Sequence, residues 1–168
     1  MSRHTRSTRA LCLSVVTFVT SVLLIGLLLL LVPRGPARAQ SGVIHVDAAA
    51  SGADDGTSWE DAYPDLQSAL AVASAGDEIW AAAGAYVPGH TVSDTFTIPA
   101  GVAVYGGFAA TETVRSQRDW DANPTVLSGD LAGDDGTDAR GVVTDTEHIT
   151  GTNAYHVVRL DGTPILGT

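Results

Sequence analysis

The sequence predicts a mainly β domain, the start of a parallel β-helix, with one amphipathic helix at its N-terminal end and an export signal ahead of it. Three observations lead there. Short β-rich runs centred near Trp80, Ala103, Leu127 and Val157 recur at intervals of 23, 24 and 30 residues, with glycine-bearing turns between them. One apolar stripe at helical spacing precedes these runs. All 19 acidic residues follow a basic and then apolar leader that has none.

The leader opens with Arg3, His4, Arg6 and Arg9, continues through an uncharged stretch over residues 10–32, and reaches Ala37-Arg38-Ala39 before Gln40. Basic region, apolar core and small-residue cleavage site, in that order, predict a signal peptide over residues 1–39 and a mature domain over 40–168. The apolar core is also long enough to span a bilayer, so an uncleaved anchor is the alternative. Pro33, Gly35 and Pro36 favour cleavage, because they break a helix ahead of the A-x-A site. In both cases the rest of the chain is translocated, and membrane contact is confined to the N-terminal segment if that is retained. The expected location is therefore secreted, or the cell surface or outer membrane. Cys12, the one cysteine, lies inside the apolar core and offers neither a disulfide nor a lipid-attachment site.

Past Gln40 the chain has four arginines, no lysine and 19 carboxylates, a net charge of −15. Nucleic acids and anionic membranes are bound through Lys and Arg that neutralise phosphates, so this balance excludes both as partners. Solubility is the simplest use of such a surface.

Within the mature region, Val43-Ile44-His45-Val46 predicts a short strand, and residues 47–58, rich in Ala, Gly, Asp and Ser, predict a loop. Leu66, Ala69, Leu70 and Ala73 fall at i, i+3, i+4 and i+7, which predicts a helix over residues 64–74. Pro64 suits its first position, Asp65 its positive dipole end, and Gly76 the left-handed residue beyond it. A helix of about eleven residues is marginal alone, so its apolar face must dock, and the end of a sheet is the expected place. Strand-length runs follow at residues 78–82, 96–98, 102–105, 125–128 and 155–160. A β-sandwich would place strands every 8 to 12 residues or so, more densely than here. A solenoid with a recurrence in the twenties fits the spacing, and a helix ahead of its first coil would cover an otherwise open edge.

Several strings then become legible together: Asp54-Asp55-Gly56-Thr57-Ser58-Trp59, Asp65-Leu66-Gln67-Ser68-Ala69-Leu70, Gly76-Asp77-Glu78-Ile79-Trp80, Gly101-Val102-Ala103-Val104-Tyr105-Gly106-Gly107-Phe108, Gln117-Arg118-Asp119-Trp120 and Leu127-Ser128-Gly129-Asp130. Over residues 43–158 the chain resembles the N-terminal region of secreted bacterial right-handed parallel β-helix proteins, related to polymorphic outer-membrane proteins and pectate-lyase-like folds. The resemblance implies a right-handed, single-stranded solenoid. It also implies further coils, with Leu160-Asp161-Gly162-Thr163 resembling the approach to the next one and the chain a fragment of a longer array. The resemblance speaks for architecture and assigns no chemistry.

Three acidic groups could hold calcium, which takes six to eight hard oxygens. They are Asp54-Asp55, Asp119 with Asp121, and Asp130 with Asp134, Asp135 and Asp138. The last is the metal candidate, since glycines at 133 and 136 would let carbonyls turn inward beside the carboxylates. It matches neither the EF-hand loop nor the nonapeptide calcium repeat, and a solvated acidic loop is the simpler reading. No catalytic constellation is evident. Arg115, Arg118 and Asp119 suggest a salt-bridged turn without a nucleophile or base partner. Trp59, Trp80 and Trp120 could stack on sugar rings, though core or cap filling is the commoner use. His45 and His156 lie in strand patterns without a metal-ligand partner, which predicts structural roles.

The functional expectation is an exported protein with a structural, adhesive or glycan-contacting role, whose partner would be an extracellular polysaccharide or a cell-surface component. One alternative is a polysaccharide lyase or glycoside hydrolase with its active site on coils beyond Thr168. The other is a calcium-dependent glycan-binding module. At −15, the surface as a whole would repel a uronate polymer.

Overall fold

The computed structural model describes residues 41–162. The expected signal peptide over residues 1–39 and its cleavage junction lie outside the described residues, as do residues 163–168.

Among the described residues the chain forms seven strands and one α-helix: β1 (Val43–Val46), α1 (Leu66–Val72), β2 (Glu78–Ala82), β3 (Gly84–Tyr86), β4 (Phe96–Ile98), β5 (Ala103–Phe108), β6 (Thr125–Leu127) and β7 (Val158–Leu160). Every strand pairing is parallel. β1, β2 and β5 form one sheet in that order, β3 and β6 a second, β4 and β7 a third. The chain thus visits the three sheets in turn through β2, β3 and β4, then again in the same order through β5, β6 and β7. Parallel neighbours need a long crossover, and the register shows how long each is. Val43 pairs with Glu78, Glu78 with Ala103, Gly84 with Thr125 and Phe96 with Val158.

The four centres read from the sequence therefore do not repeat one strand. Trp80 and Ala103 belong to the first sheet, Leu127 to the second, and Val157 precedes β7 in the third. Their near-even spacing reflects loops of unequal length, the longest being the acidic connection between β6 and β7.

Side chains alternate across the first sheet, as the strand period of two requires. Ile44, Ile79 and Val104 share one row, and Val46 and Ala81 another, both facing the core. The buried cluster joins Val46, Ile79 and Ala81 to Tyr86 from β3, Phe96 from β4, and Leu66, Ala69 and Leu70 from the helix. Ile98 at the end of β4 packs on this cluster half-buried, and so, from the second visit to the sheets, do Val102, Val104, Leu127 and Val157. Burial pushes the Tyr86 phenol up to about 12, and its hydroxyl donates to the Ala82 carbonyl at 3.2 Å.

The helix is shorter than its periodicity suggests. Asp65 is the N-cap rather than an interior residue, with extended backbone and a side chain that accepts from the Ser68 N–H at 2.8 Å and the Ser68 hydroxyl at 2.8 Å. Pro64 therefore sits outside the helix. Ala73 closes the other end in an extended conformation, and Gly76 takes its left-handed φ of 101° in the following turn. The helix packs against β1, β2 and β4. Gln67 pins it further, donating to the carbonyls of Pro88 (2.8 Å) and Thr95 (3.2 Å) on the approach to β4.

Asp65→Ala should lower stability by about 1 kcal/mol through loss of the cap. Urea denaturation is the check, and Asp65→Asn, which retains an acceptor oxygen, should recover most of the loss.

Candidate functional site

Two features beyond the main buried cluster offer candidate chemistry. The first is the acidic loop. Asp130 organises it: one carboxylate oxygen accepts from the N–H groups of Ala132 (3.2 Å), Gly133 (2.7 Å) and Asp134 (3.2 Å), and the other from Asp135 (2.9 Å). Asp135 in turn accepts from the Thr150 N–H at 2.7 Å, tying together the two limbs of the loop. One oxygen from each of Asp130, Asp134 and Asp135 lies within 4.8 Å of the others, and this triad could bind a metal ion. Asp138, the fourth candidate, lies outside that set. Its carboxylate closes a separate turn by accepting from Arg140 (2.8 Å) and Val142 (3.0 Å). The same oxygens of Asp130 that could face a cation already accept backbone amides, so a bound ion would share them.

Those amides, the Asp135 N–H foremost, hold the Asp130 carboxyl below the usual aspartate range. The Val142 and Arg140 amides do the same for Asp138. A carboxyl with a depressed folded pKa stabilises the fold above its unfolded value of about 3.9 and loses that contribution as pH falls through the lower folded value. Asp130→Asn should therefore flatten the decline of the thermal midpoint as the pH falls below the unfolded value. Exposure to solvent keeps the effect small. A variant whose acid decline matches that of the parent would contradict this.

The second feature is the outer face of the first sheet. Register sets His45, Trp80 and Tyr105 side by side across β1, β2 and β5. Trp59 and Phe108 fold over them: Trp80 stacks on Phe108 at 4.8 Å, Trp59 meets Phe108 at 5.5 Å, and His45 meets Trp59 edge-on at 4.6 Å. Their polar ends are satisfied. The Trp80 indole donates to Glu78 at 2.9 Å and the Trp59 indole to the Glu112 carbonyl at 2.9 Å, while His45 Nδ1 lies 3.1 Å from the Gly56 carbonyl.

Beside this layer the loop after β5 brings up its arginines. Arg115 pairs with Glu78 at 2.6 Å and donates to the Tyr105 hydroxyl at 3.0 Å. The Arg115 and Arg118 guanidinium groups lie 4.6 and 5.3 Å from the centre of the Tyr105 ring. The salt bridge thus reaches back to β2 and not to Asp119, which instead accepts from the N–H groups of Asp121 and Ala122.

The tryptophans divide. Trp80 is buried and Trp59 half-buried in the aromatic layer, whereas Trp120 is 62% exposed. His156 is exposed ahead of β7. The sequence carried a signal for the exposed tryptophan: Trp120 follows Arg118 and Asp119 in a turn-rich stretch with no apolar periodicity. Compared with protein-family models, curated proteins and solved structures, the chain has no significant match.

Proposed function

We propose that the domain is the capped start of a right-handed parallel β-helix in an exported protein. It acts at the cell surface or outside the cell as a structural, adhesive or glycan-contacting element. The observation that carries this reading is the strand order. β2, β3 and β4 lie in three different sheets, and β5, β6 and β7 pair with them in parallel and in sequence, so one circuit of chain lies on the last. Each added circuit lengthens such a stack by about 4.8 Å, which builds an extended face at little cost in loop design. The half-buried apolar row on β5 and β6 fits a circuit that receives another on its open side. Its work would then be presentation of a surface, with binding groups on the outer loops.

The test is location. The full chain, tagged at its C-terminus, should appear in the medium or be open to protease on intact cells. Retention of the whole chain in the cytoplasm would overturn the proposal.

A second reading, calcium-dependent glycan binding, is favoured by the proximity of the Asp130, Asp134 and Asp135 oxygens. Three carboxylates would supply half or fewer of the ligands calcium takes, with carbonyls or water completing the set. Calcium at ten times its dissociation constant should stabilise the domain by about 1.4 kcal/mol, reversed by chelator and absent in Asp134→Asn. An unchanged thermal midpoint at millimolar calcium would dismiss this reading.

A further inference from the structure

Three of the four arginines past Gln40 gather around one exposed tryptophan. Two adjoining hollows lie against Trp120 and share Arg118 in their walls. Glu78, Arg115 and Ser116 help to line one, Gly106, Thr125 and Arg140 the other. In a region with 19 carboxylates and four arginines, walls holding three arginines and one carboxylate reverse the prevailing charge.

The arginines are not equivalent. Arg115 is engaged by Glu78 at 2.6 Å and Arg140 by Asp121 at 3.2 Å. Among the described residues Arg118 has no carboxylate within 4.0 Å. One of its nitrogens donates to the Gly106 carbonyl at 3.3 Å, and its guanidinium lies near two aromatic rings, 5.3 Å from the centre of Tyr105 and 5.5 Å from that of Trp120. The rings hold the cation in place without neutralising it. A planar guanidinium that lines both hollows without a carboxylate partner suits a carboxylate or sulfate, and the adjacent exposed indole offers a flat apolar surface.

We infer that the hollows around Trp120 bind an acidic sugar, its ring on the Trp120 indole and its carboxylate or sulfate on Arg118. The inference rests on the glycan-contacting reading above and names the sugar class. It also reverses, for this one face, the repulsion of acidic polymers that the net charge of −15 implies. The field of the whole molecule opposes the approach of such a polymer, and the local pair of guanidinium and ring selects it on contact.

Titration calorimetry on the full chain tests this, with short hyaluronan oligosaccharides as the carboxylated probe, dextran sulfate as the sulfated one and neutral dextran as the reference. At least one acidic probe should bind, with dextran about tenfold weaker or worse, and which acidic probe binds tells carboxylate from sulfate. Arg118→Gln and Trp120→Ala should each weaken that binding about tenfold, while Arg159→Gln, whose side chain lines neither hollow, should leave it unchanged. Thermal midpoints establish that the variants are folded, and Arg118→Gln decides alone if Trp120→Ala is not. Binding of neither acidic probe, equal binding of dextran, or equal losses in Arg159→Gln and Arg118→Gln would overturn the inference. An exported chain that ignores both acidic probes defeats this inference and leaves the surface reading standing. A binding chain retained in the cytoplasm defeats only the surface reading.

Discussion

Phe96→Ala should cost about 3–5 kcal/mol, the largest loss expected of any single truncation in the domain. Phe96 is fully buried at the start of β4 and joins the cluster of Val46, Leu66, Ile79 and Tyr86. Its position is also fixed by the backbone, since its N–H donates to the Val157 carbonyl at 2.9 Å and it pairs with Val158. With the strand tied to β7 by its backbone, the neighbours are hindered from collapsing into the space left by the ring, and cavities that cannot relax are the expensive ones. Small domains have about 5–15 kcal/mol in total, so the variant should unfold at markedly lower urea. Leu160→Ala is the contrast: Leu160 is 54% exposed at the other end of the same strand pair and should change stability by less than about 1 kcal/mol. Urea midpoints read from tryptophan fluorescence compare the two, and equal losses would contradict the described core.

Gly56→Ala is expected to cost about 2–4 kcal/mol, from two separable causes. Gly56 is buried with φ of 74°, and an added Cβ would lie 2.8 Å from the Tyr63 ring and 2.9 Å from Ile44. Its carbonyl receives the His45 N–H and its own N–H donates to Asp61, so the residue cannot swing away without breaking the contact between β1 and its following loop. Gly133 separates the causes. It has a similar φ of 70° but nothing within 4 Å of an added Cβ, so Gly133→Ala should carry the backbone cost alone, about 1 kcal/mol. Should the two variants lose the same amount in thermal or urea unfolding, the crowding at Gly56 is not real.

Much of the local structure was legible because it rests on short-range rules. The apolar face of the helix is the spacing of Leu66, Ala69 and Leu70, and all three are buried. Most strands coincide with β-branched or aromatic runs. β3 was not legible, because Gly84 and Ala85 carry neither β propensity nor alternation. It pairs because Tyr86 enters the core and β6 lies alongside. Nor did spacing reveal that successive strands enter three different sheets, since a loop's length in sequence does not fix which strand it returns to.

The candidate site divides in the same way. Asp130, Asp134 and Asp135 come together as a local cluster separated by few residues, while Asp138 turns onto the amides of Arg140 and Val142. The pairing of Arg115 with Glu78 joins residues far apart in the sequence, and only the parallel alignment of β2 and β5 brings them together. Sequence could mark Trp120 as one of three tryptophans. Its exposure beside an arginine without a carboxylate partner is a property of the folded loop.

The parallel pairing of β5, β6 and β7 with β2, β3 and β4 is what would make one circuit lie on the last, and its longest-range member is the pairing of β4 with β7. Thr97 and Arg159 are partners in that pair, and parallel neighbours lie within the separation a disulfide can span. In a Cys12→Ser background, Thr97→Cys with Arg159→Cys should oxidise to a single intramolecular crosslink, read by gel mobility and peptide mapping. The combination of Thr97→Cys with Leu160→Cys, shifted by one residue and so facing opposite sides, should not. Crosslinking of the first combination alone is the predicted result. Failure of the first, or equal crosslinking of both, would contradict the stacked register.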